Sequence, residues 1–512
     1  MSKAHSESAV SSSKVEAASQ PLPALRQDVG ATSTEYEETQ SYLQGAKLYL
    51  ITVALCTCPL ITNIEIPIVT TALVGITGEL GGFDKASWGI SAYMLGYTVF
   101  RSFQGIGGAG NFALCSVIFI ELVPSHKYAL YTSSTAAIYS LSLALGPILG
   151  GAISQYTTWR WVFLINVPVA FVSAVIIFFS IPDGFPFHGR PRSERPNAVP
   201  FFSKQAAQRI DITGTILLLI STVLLVAALQ EGGLRYPWKS GFVIALCTIS
   251  GLGWIAFLIW ERSVTLGSTL QEPVFPWRFA QNRVYIGLLL NTSFIGAAFF
   301  CTTFQLPQRF QVVNGLPPIQ AGIRFLPFTL AAPFGSPISP AIAKVIGFAL
   351  LSTLASSKTV VAAQYGYQVL AGFGSGANIT LTLLLTPFCV QERDKGIVLD
   401  PITQDTTDMG IAVAMGTVSQ FRVMGGVIGL SIVTAAFYGL VRQQLGELLS
   451  PQELTMVLQS PGMTATFPAD VQEAIRVTFA AGYTRQMKIL SGLAAGQLPA
   501  SILMWQRDQI RI

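Results

Sequence analysis

Three ionisable side chains stand in stretches that are otherwise apolar or small: Glu65 in "TNIEIPIVTTALVGIT", Arg101 in "SAYMLGYTVFRSFQGIGGAG" and Arg422 in "SQFRVMGGVIG". From Trp88 to Ile120, Arg101 is the sole charge. An arginine near the middle of a bilayer costs at least about 2.5 to 3.5 kcal/mol on insertion scales, so such residues face a bundle interior or a water-filled cavity. A carboxylate in a partly dry cavity is favoured in its neutral form, which suits a group that takes up and releases a proton. Simpler readings stand beside these: Glu65 solvated at the mouth of its helix, and each arginine in an ion pair or bonded to backbone carbonyls.

Other chemistries are poorly represented. No Gly-Lys dipeptide occurs, which excludes a phosphate-binding loop and transport driven by this chain's own ATP hydrolysis. The three histidines, His5, His126 and His188, lie in the tail and in loops, so no helix carries a histidine pair for a metal. "DTTD" at Asp405 to Asp408 has carboxylate spacing that could hold a divalent ion, but reads as a solvated polar loop. Cys56, Cys58, Cys115, Cys247, Cys301 and Cys389 all lie in apolar surroundings and read as packing or lipid-facing residues. Cys56 and Cys58, two apart, fall on different helix faces. No metal, cofactor or enzymatic site is expected.

The elements that must position these residues are membrane helices. Of 512 residues, 51% are hydrophobic and only 11% charged, and the mean hydropathy is +0.53, a composition that leaves too little charge to cover a soluble surface. The net charge of +5 is spread over short loops, which argues for membrane topology and against a nucleic-acid partner. Residues 1–47 read as a disordered cytoplasmic tail without a cleavable signal. Apolar runs long enough to cross about 30 Å of hydrocarbon occur near 48–72, 88–122, 128–154, 159–181, 212–230, 240–260, 284–306, 318–343, 360–389, 411–440 and 485–506, with a weaker one at 345–354. Trp88, Trp159, Trp161, Trp238, Trp260 and Trp505 fall near segment ends, as interfacial rings do, while Trp254 reads as packing. Asn291 and Asn378 match the glycosylation pattern but lie inside expected spans, and are expected to be unmodified.

Lysine and arginine place the loops. Residues 182–211 carry Arg190, Arg192, Arg195, Lys204 and Arg209, and residues 261–283 carry Arg262, Arg278 and Arg283, so both are expected on the cytoplasmic side together with the termini. Residues 441–484 then lie outside, with short amphipathic helices starting near Ser450 and Asp470. The expected order is an incomplete first bundle (48–181), the basic loop, two further helices (212–260), a second loop, an incomplete second bundle (284–440), the outer loop, and a last helix and tail (485–512).

Glycines supply a second constellation. "LGPILGG" sets Gly146 and Gly150 four apart on one helix face, with Gly151 beside them and Pro147 bending the helix. "FRVMGGVIG" repeats the pattern with Gly425 and Gly429, and Gly426 between them.

Together these stretches resemble the major facilitator superfamily, and within it the fourteen-helix drug:proton antiporters of fungi. "LALGPILGGAI" is similar to the antiporter signature of helix 5. "WRWVFLINVPVA", with Trp159, Arg160, Trp161, Phe163, Asn166 and Pro168, is similar to that of helix 6. "VFRSFQGIGGAG" resembles the helix 4 motif, with Arg101, Gln104 and Gly105 on it; "EIPIV" resembles the acidic helix 1 motif, with Glu65 for aspartate; "SQFRVMGGVIG", with Gln420 and Arg422, resembles the penultimate helix. The resemblance implies an all-α membrane fold of two helical bundles with two inserted helices, about 11 to 12 spans in this chain. It further implies a monomeric cell-membrane exporter that exchanges a small organic molecule for protons, with Glu65 and Arg101 in proton coupling, Gly146 to Gly151 at a moving helix interface and Asn166 positioning it.

The chain departs from the family in three places. "SAYMLGYT" resembles the start of helix 2 and "VFRSFQG" that of helix 4, so the usual loop between helices 2 and 3 is missing; residues 88–122 make about 52 Å of helix, too long for one span and too short for two. "AIAKVIGFALLSTL" joins one span to half of the next, and "GIVLDPITQDTTDMGIA" reads as inserted. These junctions leave open a transport-inactive remnant or a wrongly assembled reading frame, and uptake of a nutrient or iron chelate remains a further alternative.

Overall fold

In the computed structural model the described residues are 46–80, 128–180, 211–232, 236–267, 271, 273–332, 340–354, 359–391, 401–459, 464 and 466–505. They form helices α1 (Ala46–Leu80), α2 (Tyr128–Tyr156), α3 (Trp161–Leu164), α4 (Asn166–Ser180), α5 (Ile212–Glu231), α6 (Gly241–Leu266), α7 (Trp277–Gln281) and α8 (Arg283–Val312). There follow α9 (Pro318–Ala331), α10 (Pro340–Leu351), α11 (Ala363–Gln391), α12 (Pro401–Leu445), α13 (Pro451–Gln459), α14 (Ala469–Ala495) and α15 (Gln497–Leu503). The all-α class expected from the sequence is the one observed. By length and composition α5, α6, α8 and the Val413–Leu445 part of α12 are each able to cross a membrane, with shorter apolar runs at Leu48–Thr57, Val167–Ser180 and Ile342–Leu351.

Several boundaries differ from the sequence reading, each for a local reason. The span expected at 318–343 ends at Ala331, and α10 begins afresh at Pro340. In the sequence Pro333 and Pro337 lie between the two and Pro340 opens α10, and each lacks an N–H and disfavours helix in the residue before it. The span expected at 159–181 is broken at Ile165, which separates α3 from α4. The "DTTD" segment, read as a loop, has helical backbone: α12 runs unbroken from Pro401 for 45 residues, since a proline is tolerated in the first turn and no breaker follows it. The last span joins the amphipathic segment before it, because α14 starts at Ala469. At Ser450 the Glu453 carboxylate accepts from both the Ser450 N–H (2.9 Å) and hydroxyl (2.7 Å), closing a capping box at the start of α13. Those two donors hold the Glu453 carboxyl below the usual range.

Packing divides the helices into two groups. α1, α2 and α4 pack together, while α8 packs on α12 and α14, and α9 and α10 pack on α11. The inserted pair α5–α6 lies against α12 through α5, with Gln230 Nε2 donating to Ser431 Oγ at 3.3 Å. The largest apolar cluster belongs to the second group and includes Phe299, Phe300, Phe304, Phe310, Phe325, Phe328 and Phe348. Without water to drive association, lipid-embedded helices hold together by close backbone approach at small residues. A methyl on Gly150 would overlap the Ile68 carbonyl oxygen and the Thr71 hydroxyl, whereas nothing lies within 4 Å of one on Gly78. Gly150→Leu is therefore expected to abolish the folded, monodisperse species in detergent. Gly78→Ala is expected to leave it intact or stabilise it by about 0.5 to 1 kcal/mol. Size-exclusion profiles and melting curves of the two variants read this directly.

Candidate functional site

The glycine–proline stretch of α2 is where both helix groups converge. Two of its residues face α1: Gly146 abuts Pro67 and the Ile64 carbonyl, and Gly150 abuts Ile68. Gly151 faces the second group, where a methyl would stand 2.7 Å from the Pro318 carbonyl oxygen of α9. Gly322, one turn along α9, returns the contact by lying against the Pro147 carbonyl. Pro147 lies inside α2 and has no N–H to give to the preceding turn, and its carbonyl also accepts from the Thr71 hydroxyl of α1 at 3.1 Å. Thr71 in turn offers its own carbonyl to Gln311 Nε2 of α8, at 3.1 Å. Gly315, with φ of +65°, makes the turn that delivers α9 to this place. Four helices from both groups thus meet around Thr71, Pro147, Gln311 and Gly322. Apart from two weak hydrogen bonds to carbonyls the surfaces are small and apolar, so they can part without leaving buried charges behind.

Trp159 and Arg160 hold the end of α1. Trp159 Nε1 donates to Glu79 Oε2 at 2.9 Å, Arg160 Nη1 lies 3.5 Å from Glu79 Oε1, and the guanidinium stacks 4.7 Å from the Trp159 ring centroid. Trp161 and Pro168 are exposed, and Pro168 lies in the first turn of α4. Glu79 was not singled out in the sequence because it stands near the end of an apolar run, where a carboxylate is unremarkable; only its partners, eighty residues on, give it a role.

In the second group the Arg422 backbone of α12 presses against Gly296 of α8, and Gly425 against Ser293, while Gly429 meets Ala297. Gly426 is buried and Gln420 partly buried. The Arg422 Nε is buried without a hydrogen-bond partner, and the ion pairs among the described residues are those of Arg160 and Arg476. The ion-pair reading of Arg422 is therefore not what the described residues contain. Glu65 lies on α1 beside Ile64, at the level of Gly146, and Asn166 is the first residue of α4. Arg101, Gln104 and Gly105 lie outside the described residues. Buried Asn291 donates to Ser501 and buried Asn378 to Gln497, so neither presents a free amide.

The Glu79 clamp is half-exposed on both sides, and exposed ion pairs contribute about 0 to 1 kcal/mol. Glu79→Gln is accordingly expected to lower the melting temperature by no more than a few degrees, whereas Gly322→Leu, placed against the Pro147 carbonyl, should shift the two helix groups apart. Distances between spin labels on α2 and α9 distinguish the two effects.

Comparison with known proteins agrees with this geometry. The family model for the Major Facilitator Superfamily matches residues 68–430. The MFS-type transporter FPY5 of Fusarium mangiferae is 33% identical, with 94% of this chain and 87% of that protein covered; the alignment runs over 540 residues, more than this chain contains, so the relative carries segments with no counterpart here. Efflux pump aunC of Aspergillus niger is 26% identical, covering 92% of this chain and 89% of that protein. The Aspyridones efflux protein of Neocamarosporium betae is 26% identical over 84% of this chain and 82% of its own length. Among solved structures, a bacterial homologue of the human lysosomal transporter Spinster shares the fold, with a TM-score of 0.53 at 12% identity over 91% of this chain and all of that one. The chain belongs to the Major Facilitator Superfamily, as a multi-pass membrane transporter of small molecules whose relatives are fungal efflux pumps.

Proposed function

We propose that the protein is a proton-coupled exporter of a small organic molecule in the cell membrane, working as a monomer by alternating access between its two helix groups. The observation that carries this reading is the small-residue contact of Gly151 and Gly322 across the groups, joined by the Gln311–Thr71 hydrogen bond. With the basic loop 182–211 in the cytoplasm, α1 and α2 both run outward. The contact then belongs to their outer halves, and the molecule is closed to the outside. Export requires that contact to open once substrate and proton have exchanged places. Glu65, on α1 at the level of Gly146, is well placed to bias it, since a change of charge there acts on the helix that Gly150 holds most closely. Arg101 is the cationic partner in this scheme. The names of the relatives support efflux over uptake.

The test is accumulation of a fluorescent amphipathic cation and of a carboxylate dye in a pump-deficient fungal host. The intact chain should lower accumulation of one of them, and Glu65→Gln or Arg101→Ala should reduce that by about tenfold or more, equivalent to about 1.4 kcal/mol, at equal membrane abundance. Efflux unchanged in both variants would remove them from the coupling scheme. An intact chain with no efflux of a panel of such dyes, beside an active relative, would favour the transport-inactive reading that the missing segments raise, and inward accumulation would favour uptake.

A further inference from the structure

Away from the contact between the helix groups, a second pair of ionisable groups is buried where the inserted helices enter and leave. Asp211, the N-cap of α5, is 2% exposed, and Glu261, near the end of α6, is fully buried. Asp211 Oδ1 accepts from Gly214 N at 2.8 Å and from Trp260 Nε1 at 2.9 Å. Glu261 Oε2 accepts from Phe275 N at 3.1 Å. The other Glu261 oxygen, Oε1, is buried and receives no N–H from the described residues. It lies against Gly214, where a methyl would stand 2.5 Å from it and would also overlap Asp211 Oδ2. The two carboxyls are thus brought face to face by a residue that has no side chain to separate them.

No cation offsets them among the described residues. Arg262 stacks over Trp277 at 5.6 Å and Arg278 over Phe279 at 5.5 Å, Arg283 donates to the Trp505 carbonyl, and the ion pairs lie elsewhere. Thr265, one turn beyond Glu261, accepts from Trp277 N at 3.0 Å. The aromatic and aliphatic groups of Leu218, Phe257, Phe275, Phe279 and Tyr285 close the site. Two buried carboxylates in contact cannot both be ionised without a large cost. An oxygen in that position that lacks an N–H donor is satisfied when one carboxyl keeps its hydrogen and donates it to the other.

We infer that Asp211 and Glu261 hold one proton between them, and that this proton fastens the start of α5 to the end of α6, beside the 273–276 segment that leads into α7. Water takes the proton when it leaves; the two anions then repel, and the contact between the start of α5 and the end of α6 gives way, while the Phe275 N–H stays on Glu261. This site is separate from Glu65 and stands whether or not the chain exports its substrate.

The sign follows from proton counting. In the unfolded chain both carboxyls are ionised above about pH 5, whereas the folded pair retains a proton. Stability is therefore greatest in mild acid and falls as pH rises from about 5 until the folded pair has released its proton. Thermal unfolding of the full chain in lipid nanodiscs at pH 6 and at pH 9 tests this against Glu261→Gln, whose amide donates the missing hydrogen at every pH. The wild-type melting temperature should fall by at least about 3 °C more than that of the variant. Infrared spectra of the wild type at neutral pH should also carry a protonated-carboxyl band that Glu261→Gln and Asp211→Asn each remove, a readout that stands even where a variant melts early. Parallel pH curves overturn the inference, as does absence of that band. Recovery of the wild type at pH 9 on adding sodium or calcium would assign the pair to a metal cation instead and likewise overturn it.

Discussion

The structure depends on how closely one helix backbone can come to another where no water is available to force them together. At Gly150 the α2 backbone lies against the Ile68 carbonyl, and at Gly296 the α8 backbone lies against that of Arg422. Each contact brings dispersion and weak Cα–H···O interactions that a side chain would forbid. The first fixes α1 to α2 and so fixes the height of Glu65; the second fixes α8 to α12 and the height of Arg422. Arg422 owes its height to a glycine on the neighbouring helix, and no ion pair of it occurs among the described residues.

The same chemistry, used a third time between Gly151 and Gly322, joins the two groups. There it is supplemented by a hydrogen bond from Gln311 to the Thr71 carbonyl. A polar seam at this place would have left unsatisfied groups each time it parted. The inserted pair follows another principle. Its α5–α6 contact uses Ser250 donating to the Ser221 carbonyl at 2.7 Å, and much of α6 remains exposed as lipid-facing surface. At its ends lie the buried carboxyls of Asp211 and Glu261.

How far this could be read from the sequence depended on the range of the interaction. The small-residue stretches were visible because four-residue glycine spacing is a local pattern, and so was a helix start near Ser450. Which helix each glycine meets was not, since Gly146 and Gly151 look alike in sequence but face α1 and α9 respectively. Glu79 and the Asp211–Glu261 pair were passed over because each partner is ordinary by itself at a helix end, and their meaning arises from residues fourteen to eighty positions away. The "DTTD" segment was misread because polarity is a poor guide to loops once a helix has started and nothing stops it.

The break between α9 and α10 bears most directly on transport. At 1.5 Å per residue these helices are about 21 and 18 Å long, each short of a full crossing. Gly372 and Gly376 of α11 lie against Phe328 and Ala332, so α9 descends beside α11 to its middle, and Gly347 of α10 lies against Ala371 on the way back. Chain ends at that depth are tolerated only within protein. The surroundings supply buried polar residues, among them Lys344, Gln368, Ser375 and Asn378. The shortening falls beyond the first turn of α9, which carries Pro318, Ile319 and Gly322. The contact of Gly151 and Pro147 with Pro318, Ile319 and Gly322 is therefore complete in this chain.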